Sequence, residues 1–242
     1  MPDTQFTKEN LDKYLKELAK EFRKRNGKNI PAEIILIGGA SVVINYGFRE
    51  MTYDMDAIIN ASSVMKEAIN FVGDKYDLPN GWLNDDFKKT DSYSPQIARY
   101  AKHYRTFSNV VTFRTVTGEY LVAMKLMSGR RYKYDRSDVI GILLEQEKVG
   151  NPLTLEVIKK AVEDLYGSYE VLTDEIRSFL ENVIEDGNYE ELYATARRHE
   201  AENKENLLEY QEEKPGVINE DNVNDIVEAL RRKKKNQKST VI

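Results

Sequence analysis

Residues 33–59 read EIILIGGASVVINYGFREMTYDMDAII, and this stretch decides the fold. Residues 33–37 carry four large aliphatics and run straight into Gly38-Gly39, the pattern of a buried strand ending in a tight backbone turn. A helix is predicted next, with Ala40, Val42, Val43 and Ile44 as its apolar surface and Gly47 placed to end it. Asp54 and Asp56 then bracket Met55 ahead of Ala57, Ile58 and Ile59. In a strand of period two, both carboxylates project to one side and Met55 to the other.

These features describe a metal-dependent phosphate site. Glycines let the N–H groups at a helix N-terminus approach phosphate oxygens closely, and the helix dipole adds partial positive charge there. Paired carboxylates repel each other unless a cation lies between them, and their hard oxygens suit Mg²⁺ that also takes phosphate oxygens as ligands. Taken alone, Gly-Gly reads equally as a plain strand-to-helix turn, and the two acids as the wet face of an edge strand. Asp54 and Asp56 follow Gly39 by fifteen and seventeen residues, and in that combination they point to a nucleoside triphosphate held by backbone and metal.

At these residues the chain resembles the nucleotidyltransferases of the DNA polymerase beta superfamily, and within them the branch of AbiEii-type abortive-infection toxins and their bacterial relatives. The pattern of that branch is a hydrophobic strand, Gly-Gly or Gly-Ser, a short helix, Arg-x-Thr, then Asp-x-Asp on a second strand. Gly38-Gly39, Arg49, Thr52, Asp54 and Asp56 supply its residues, with two residues rather than one between Arg49 and Thr52. The Gly-Ser form is absent: Gly39 occupies the Ser position and Ser41 lies two residues later. Relatives also carry Lys-Leu-x-x-x-Arg followed by Asp-x-x-Asp, supplied here by Lys125, Leu126, Arg130, Asp135 and Asp138, with Arg131 as the alternative to Arg130.

The resemblance implies Mg²⁺ on Asp54 and Asp56 and an NTP as substrate. It implies a nucleotide pocket of Gly38, Gly39, Ser41, Arg49, Thr52 and Arg130, with Lys125 on the phosphates. One of Asp135 and Asp138 would complete the acidic cluster; either Asp138 is that third acid, or the site binds nucleotide without turning it over. The implied reaction is nucleotide addition to an RNA (tRNA) or protein acceptor, by a toxin with a separate antitoxin. The rival reading is a non-catalytic nucleotide-binding or protein-interaction module on the same fold, using acidic helices to hold a partner.

At 242 residues the chain can bury about 70–75% of its extended surface, enough for one sizeable domain or a domain plus a helical annex. It contains no cysteine, so disulfides, thiolate metal sites and thiol catalysis are excluded. No apolar run approaches the ~20 residues that span a bilayer, and the first ten residues lack the basic start and apolar core of a signal peptide; a cytoplasmic protein is expected. A net charge of −5 argues against a uniformly basic nucleic-acid binder.

Leu11, Tyr14, Leu15, Leu18, Ala19 and Phe22 recur at helical spacing, with Thr7 to cap and Gly27 to stop the helix. A second helix is predicted over residues 62–76, giving the start of a small layered α/β unit with a mixed sheet. Pro79-Asn80-Gly81 makes a turn before Trp82, which reads as a core anchor or as a stacking platform for a base. Residues 88–105 interleave cations with tyrosines, which suits either a polyanion with exposed bases or a solvated amphipathic segment. His103 and His199 are too far apart to suggest a histidine metal site.

Residues 110–116 read as a strand, and a helix is predicted to run from Glu119 to Leu144. A lysine inside an apolar stretch ordinarily snorkels to the surface; on that reading Lys125→Met keeps stability level, since Met suits the stripe of Leu121, Met124 and Leu126. Asp135 or Ser137 reads equally as a helix cap. Further helices are predicted over residues 153–165, 173–185, 189–213 and 219–232. Residues 163–213 carry sixteen acids against four bases, unfavourable to nucleic acid along that face, and a basic run, RRKKKNQK, closes the last helix as a solvated tail or an RNA contact. The fold class is therefore α/β (α+β). A small mixed-sheet domain with flanking helices occupies residues 1–165, and an acidic, mostly helical region with a basic tail occupies residues 166–242.

Overall fold

The computed structural model describes residues 4–130, 133–219 and 222–239, with residues 234–239 by backbone alone. The chain opens with β1 (Phe6–Thr7) and α1 (Lys8–Asn26). Thr7 and Asn10 cap α1 reciprocally, each side chain accepting from the other's backbone N–H at 3.4 and 2.9 Å, and the N–H of Gly27 closes it on Arg23. Next come β2 (Ala32–Leu36), α2 (Gly38–Asn45), β3 (Met51–Thr52), β4 (Ala57–Asn60) and α3 (Val64–Tyr76). After two 3₁₀ turns the chain forms β5 (Ala101–Phe107) and β6 (Val111–Val116). From there its described residues are mostly helical: α4 (Gly118–Ser128), α5 (Asp135–Lys148), α6 (Leu155–Tyr166), α7 (Asp174–Asp186), α8 (Tyr189–Glu213) and α9 (Val223–Ser239).

The main sheet is mixed, in the order β4-β2-β6-β5. β2 runs parallel to β6 and antiparallel to β4, with Ile34 opposite Phe113 and Ile35 opposite Ile58. Both faces of β2 are covered, which is why its sequence is a continuous apolar run rather than an alternation. Ile34 and Leu36 join the core beneath α1 and α3, whereas Ile35 and Ile37 join the core formed with α4, α5 and α6. That second core continues through Leu165 into Leu172, Ile176, Leu180 and Val183, so the sheet and α7 share one apolar body.

The predicted helix over 119–144 is two helices. Gly129 turns left-handed (φ 56°) and its N–H closes α4 on Lys125, and the chain restarts as α5 against α4. Asp54 and Asp56 lie just ahead of β4 rather than inside it. The alternation still holds there, with Met55 1% exposed, Asp54 exposed, and the Asp56 carbonyl accepting from Ile37 N at 3.0 Å. Residues 101–107 form an edge strand where the sequence suggested only an amphipathic segment, and β1 pairs with β3 in a second, two-stranded sheet that the sequence did not announce. The last helix begins after the predicted Asn219, whose side chain accepts from Asn222 N at 3.0 Å, and it continues to Ser239. Among the described residues no helix is long and apolar enough to cross a membrane.

Trp82 is 4% exposed and donates its indole N–H to the Ile69 carbonyl at 3.0 Å, within the core beneath α1 and α3. Trp82→Phe removes that hydrogen bond and leaves a void beside Gly73. Urea unfolding followed by circular dichroism should register a loss of about 1–3 kcal/mol; unchanged stability would return Trp82 to the stacking role.

Candidate active site

The site is built where β2 ends. The chain leaves β2 at Ile37 and enters α2 at Gly38 (φ 53°) and Gly39. A Cβ at Gly39 would collide with Thr52 Oγ1 and come within 2.9 Å of an Arg49 Nη. The close approach of the 49–52 turn therefore explains why glycine, and not serine, stands at this position. Gly38 lies beside Asp56, whose Oδ2 would be 3.9 Å from a Cβ placed there. Ser41 is fully buried, donating to the Leu36 carbonyl at 2.7 Å and accepting from Val116 N at 3.0 Å. It staples the ends of β2 and β6 together and takes no part in the cavity wall.

A cavity of about 250 Å³ opens over these elements, lined by Gly38, Gly39, Arg49, Thr52, Asp54, Asp56, Lys125 and Arg130 of the expected set. Tyr53, Lys133, Tyr134, Asp135 and Lys204 complete its lining. Asp138 is 1% exposed and lies behind the wall; the alternative Arg131 lies outside the described residues. A larger cavity, about 500 Å³ between α5, α7, α8 and α9, is lined by Arg136, Phe179, His199 and Glu200 among others. None of the residues expected from the sequence lines it.

Behind the smaller cavity stands a buried ion network. Lys125 Nζ lies 2.8 Å from both Asp135 Oδ1 and Asp138 Oδ2. Arg49 Nη1 reaches the same Asp138 oxygen at 2.5 Å, and Arg130 Nε reaches Asp135 Oδ2 at 2.9 Å. Burial opposes ionisation of Asp135, but Lys125 and Arg130 outweigh it and hold the carboxyl well below the usual range. Burial likewise opposes the charge on Lys125, and Asp135 and Asp138 outweigh it and raise its pKa. Lys125 does not snorkel: it is 8% exposed and neutralises two buried acids. Thr52 closes the loop by accepting from Arg49 Nη2 and from Asp54 N, both at 3.3 Å.

Asp54 and Asp56 have a different environment. The Asp56 carboxyl is pushed up by burial and then by the charge of Asp54, with Lys133, Arg130 and Lys125 partly compensating. Lys133 approaches Asp54 at 3.7 Å. Among the described residues no third Asp, Glu, His or Cys joins them in a group able to hold a metal ion. The donor set is thus two hard carboxylates, fitting a cation that draws its remaining ligands from water and from phosphate oxygens.

The outer wall, which comes from α8, was not read from the sequence. Tyr193 donates to the Phe48 carbonyl at 3.2 Å, Arg197 lies 4.0 Å from the centroid of the Tyr134 ring, and Lys204 lies 5.9 Å from that of Tyr53. Glu200, 3% exposed, accepts from both the N–H (3.0 Å) and the hydroxyl (2.6 Å) of Ser137 and so caps α5 from across the fold. Neither Asp135 nor Ser137 performs that capping. The 193, 197, 200, 204 spacing, one helix face, was the available signal, hidden in a segment dominated by acids.

An α/β core that sets a glycine turn at a helix N-terminus beside two acids, within a cationic cavity, is the arrangement of a nucleotidyltransferase. Residues 13–197 match the model of a family described as "Nucleotidyltransferase of unknown function (DUF6036)", and the chain belongs to that family. No curated protein and no solved structure matches the chain.

Two outcomes follow. Lys125→Met leaves Asp138 to Arg49 alone and Asp135 to Arg130 alone, so it should lower stability by about 1.5–3 kcal/mol in urea unfolding, against the level stability expected from the sequence; an unchanged midpoint would mean that Lys125 contributes nothing to the network. The Glu200 carboxyl is pushed up from 4.5 to about 7 by burial, with Asp138 adding to the rise and Ser137 and Arg197 opposing it. A folded pKa above the unfolded one stabilises fully below pH 4.5, and that stability is lost as pH rises through 7. Glu200→Gln should therefore gain about 2–3 kcal/mol relative to wild type between pH 5 and pH 8, read as the difference in unfolding free energy at the two pH values.

Proposed function

We propose that the chain is an enzyme that transfers a nucleotidyl group from an NTP to a hydroxyl of an RNA (tRNA) or protein acceptor. The observation that carries the reading is the single cavity into which Gly38, Gly39, Asp54 and Asp56 converge with Lys125, Arg130, Lys133 and Lys204. Asp54 and Asp56 would hold Mg²⁺, which when bound supplies charge neutralisation for the triphosphate and lowers the pKa of a coordinated hydroxyl. The N–H groups at the start of α2 receive phosphate oxygens, helped by the helix dipole. Arg130, on the cavity wall, offers its guanidinium to charge developing on the leaving pyrophosphate. Arg49 and Lys125 act through position, since Asp138 and Asp135 fix them and the Thr52 turn to one geometry. In the transfer itself the acceptor oxygen bonds to the α-phosphorus, the bond to the bridging oxygen breaks, and pyrophosphate departs; the acceptor proton passes to a carboxylate of the Asp54–Asp56 pair.

The second match, Lys125, Leu126, Arg130, Asp135 and Asp138, supports a place in the AbiEii-type branch. With it come the reading as a cytoplasmic toxin and an antitoxin protein as partner. One observation favours the non-catalytic alternative: Asp138, the expected third acid, is neutralised by Lys125 and Arg49. Each α-³²P-labelled NTP, incubated with Mg²⁺ and cellular RNA or lysate, separates the two. Label should enter a macromolecule with wild type and be lost in Asp54→Asn and Asp56→Asn. Both variants should melt no lower than wild type, because each removes one charge of a repelling pair. NTP binding without transfer to any acceptor would make the non-catalytic module the better reading.

A further inference from the structure

Five cations line the cavity, and three of them already face buried acids: Arg49 faces Asp138, Arg130 faces Asp135, and Lys125 faces both. A fourth, Lys133, lies 3.7 Å from Asp54. Lys204 differs from all of these. Its ammonium sits 5.9 Å from the centroid of the Tyr53 ring, and among the described residues no carboxylate pairs with it. Its place over the cavity is fixed by the helix that carries it. One turn earlier Glu200 is bonded twice to Ser137, and a further turn back Arg197 lies against Tyr134, itself a wall residue. An exposed lysine held at a cavity mouth without a paired carboxylate adds a positive field that favours an anionic ligand there.

From this we infer that Lys204 is a phosphate ligand of the nucleotide, contributed by α8, and that it engages the distal phosphates of an NTP. The inference rests on the NTP-binding reading above and adds a residue that neither sequence motif includes. The choice of distal phosphates follows from charge. Asp54 and Asp56 confine any bound divalent cation to their side of the cavity, and a triphosphate carries more negative charge than one such ion offsets. Of the five, Lys204 is the one with no carboxylate beside it among the described residues. A nucleoside monophosphate lacks the groups that would reach it.

The test is calorimetric binding in Mg²⁺ of a non-hydrolysable NTP analogue and of the matching NMP, to wild type, Lys204→Met and Lys204→Arg. Lys204 is exposed, so all three should share one melting temperature. Lys204→Met should bind the NTP analogue about tenfold or more weakly, the loss of one charge-assisted contact, while NMP affinity stays level and Lys204→Arg recovers most of the difference. Equal NTP affinity in wild type and Lys204→Met overturns the inference and leaves the NTP-binding reading standing. Intact NTP binding with weakened binding of an RNA acceptor overturns it too, assigning Lys204 to an acceptor phosphate. Absence of NTP binding in wild type overturns both readings together.

Discussion

Two buried aspartates and the three cations paired with them, where α4 gives way to α5, hold the parts of this protein in register. Asp138 takes Arg49 from the turn after α2 and Lys125 from α4, and Asp135 takes Lys125 again and Arg130 from the turn that follows. Charges removed from water are tolerated only when pairing and hydrogen bonding compensate the lost hydration. Here that condition requires four separate pieces of chain to arrive together. If α4 slid by a turn, or the 49–52 turn swung out, a carboxylate would be left bare in a region with little water. The network thus does more to specify the geometry than to add net stability, and the geometry it specifies is the wall of the cavity.

The same constraint extends into the C-terminal helices. Ser137 stands between Asp135 and Asp138 in α5, and its N–H and hydroxyl are spoken for by Glu200. Docking α8 is therefore coupled to the placement of both buried aspartates. Tyr193 and Phe48 add an edge-to-face ring pair with centroids 5.6 Å apart, next to Arg49 in sequence. The apolar core that runs from β2 through α6 to α7 works in the same direction. Apolar residues from Tyr166 to Ala196 pack as a continuation of the sheet's own core, whereas Leu207, Val223 and Val227 form a separate cluster, and α8 reaches the cavity at Lys204.

What could be read from the sequence was whatever is encoded locally. The strand–Gly-Gly–helix unit, the cap at Thr7, the stop at Gly27 and the span of α8 all follow from periodicity and capping chemistry within a dozen residues. The alternation of Asp54, Met55 and Asp56 survived even though β4 starts one residue later, because extended backbone keeps period two whether or not it is paired. What escaped was set by partners distant in sequence. Lys125 looks like a snorkelling lysine until Gly129 turns the chain and brings two aspartates back onto it. Glu200 and Lys204 sit in a run whose acids suggest only solvation, and β1 is two residues long, recognisable only by its partner β3. Ser41 went the other way: a hydroxyl near a glycine turn suggests a phosphate ligand, but the ends of β2 and β6 claim both of its hydrogen-bonding roles.

The acids near the cavity fall into two classes that local sequence does not distinguish. Asp135 and Asp138 are surrounded by cations and stay ionised against burial. Asp54 and Asp56 face each other with far less compensation, and the cost appears as the raised pKa of Asp56. A fold able to neutralise one pair of buried aspartates with three cations has left the other pair under-compensated at the cavity surface, beside a helix N-terminus. In an acidic chain with a net charge of −5, the cationic lining is also a local reversal of sign, of the kind that draws in a polyanion and then needs a divalent cation to bring it against carboxylates. On the proposed reading the two features complement each other: the cations would attract the triphosphate, and the unbalanced acids would hold the metal that accompanies it.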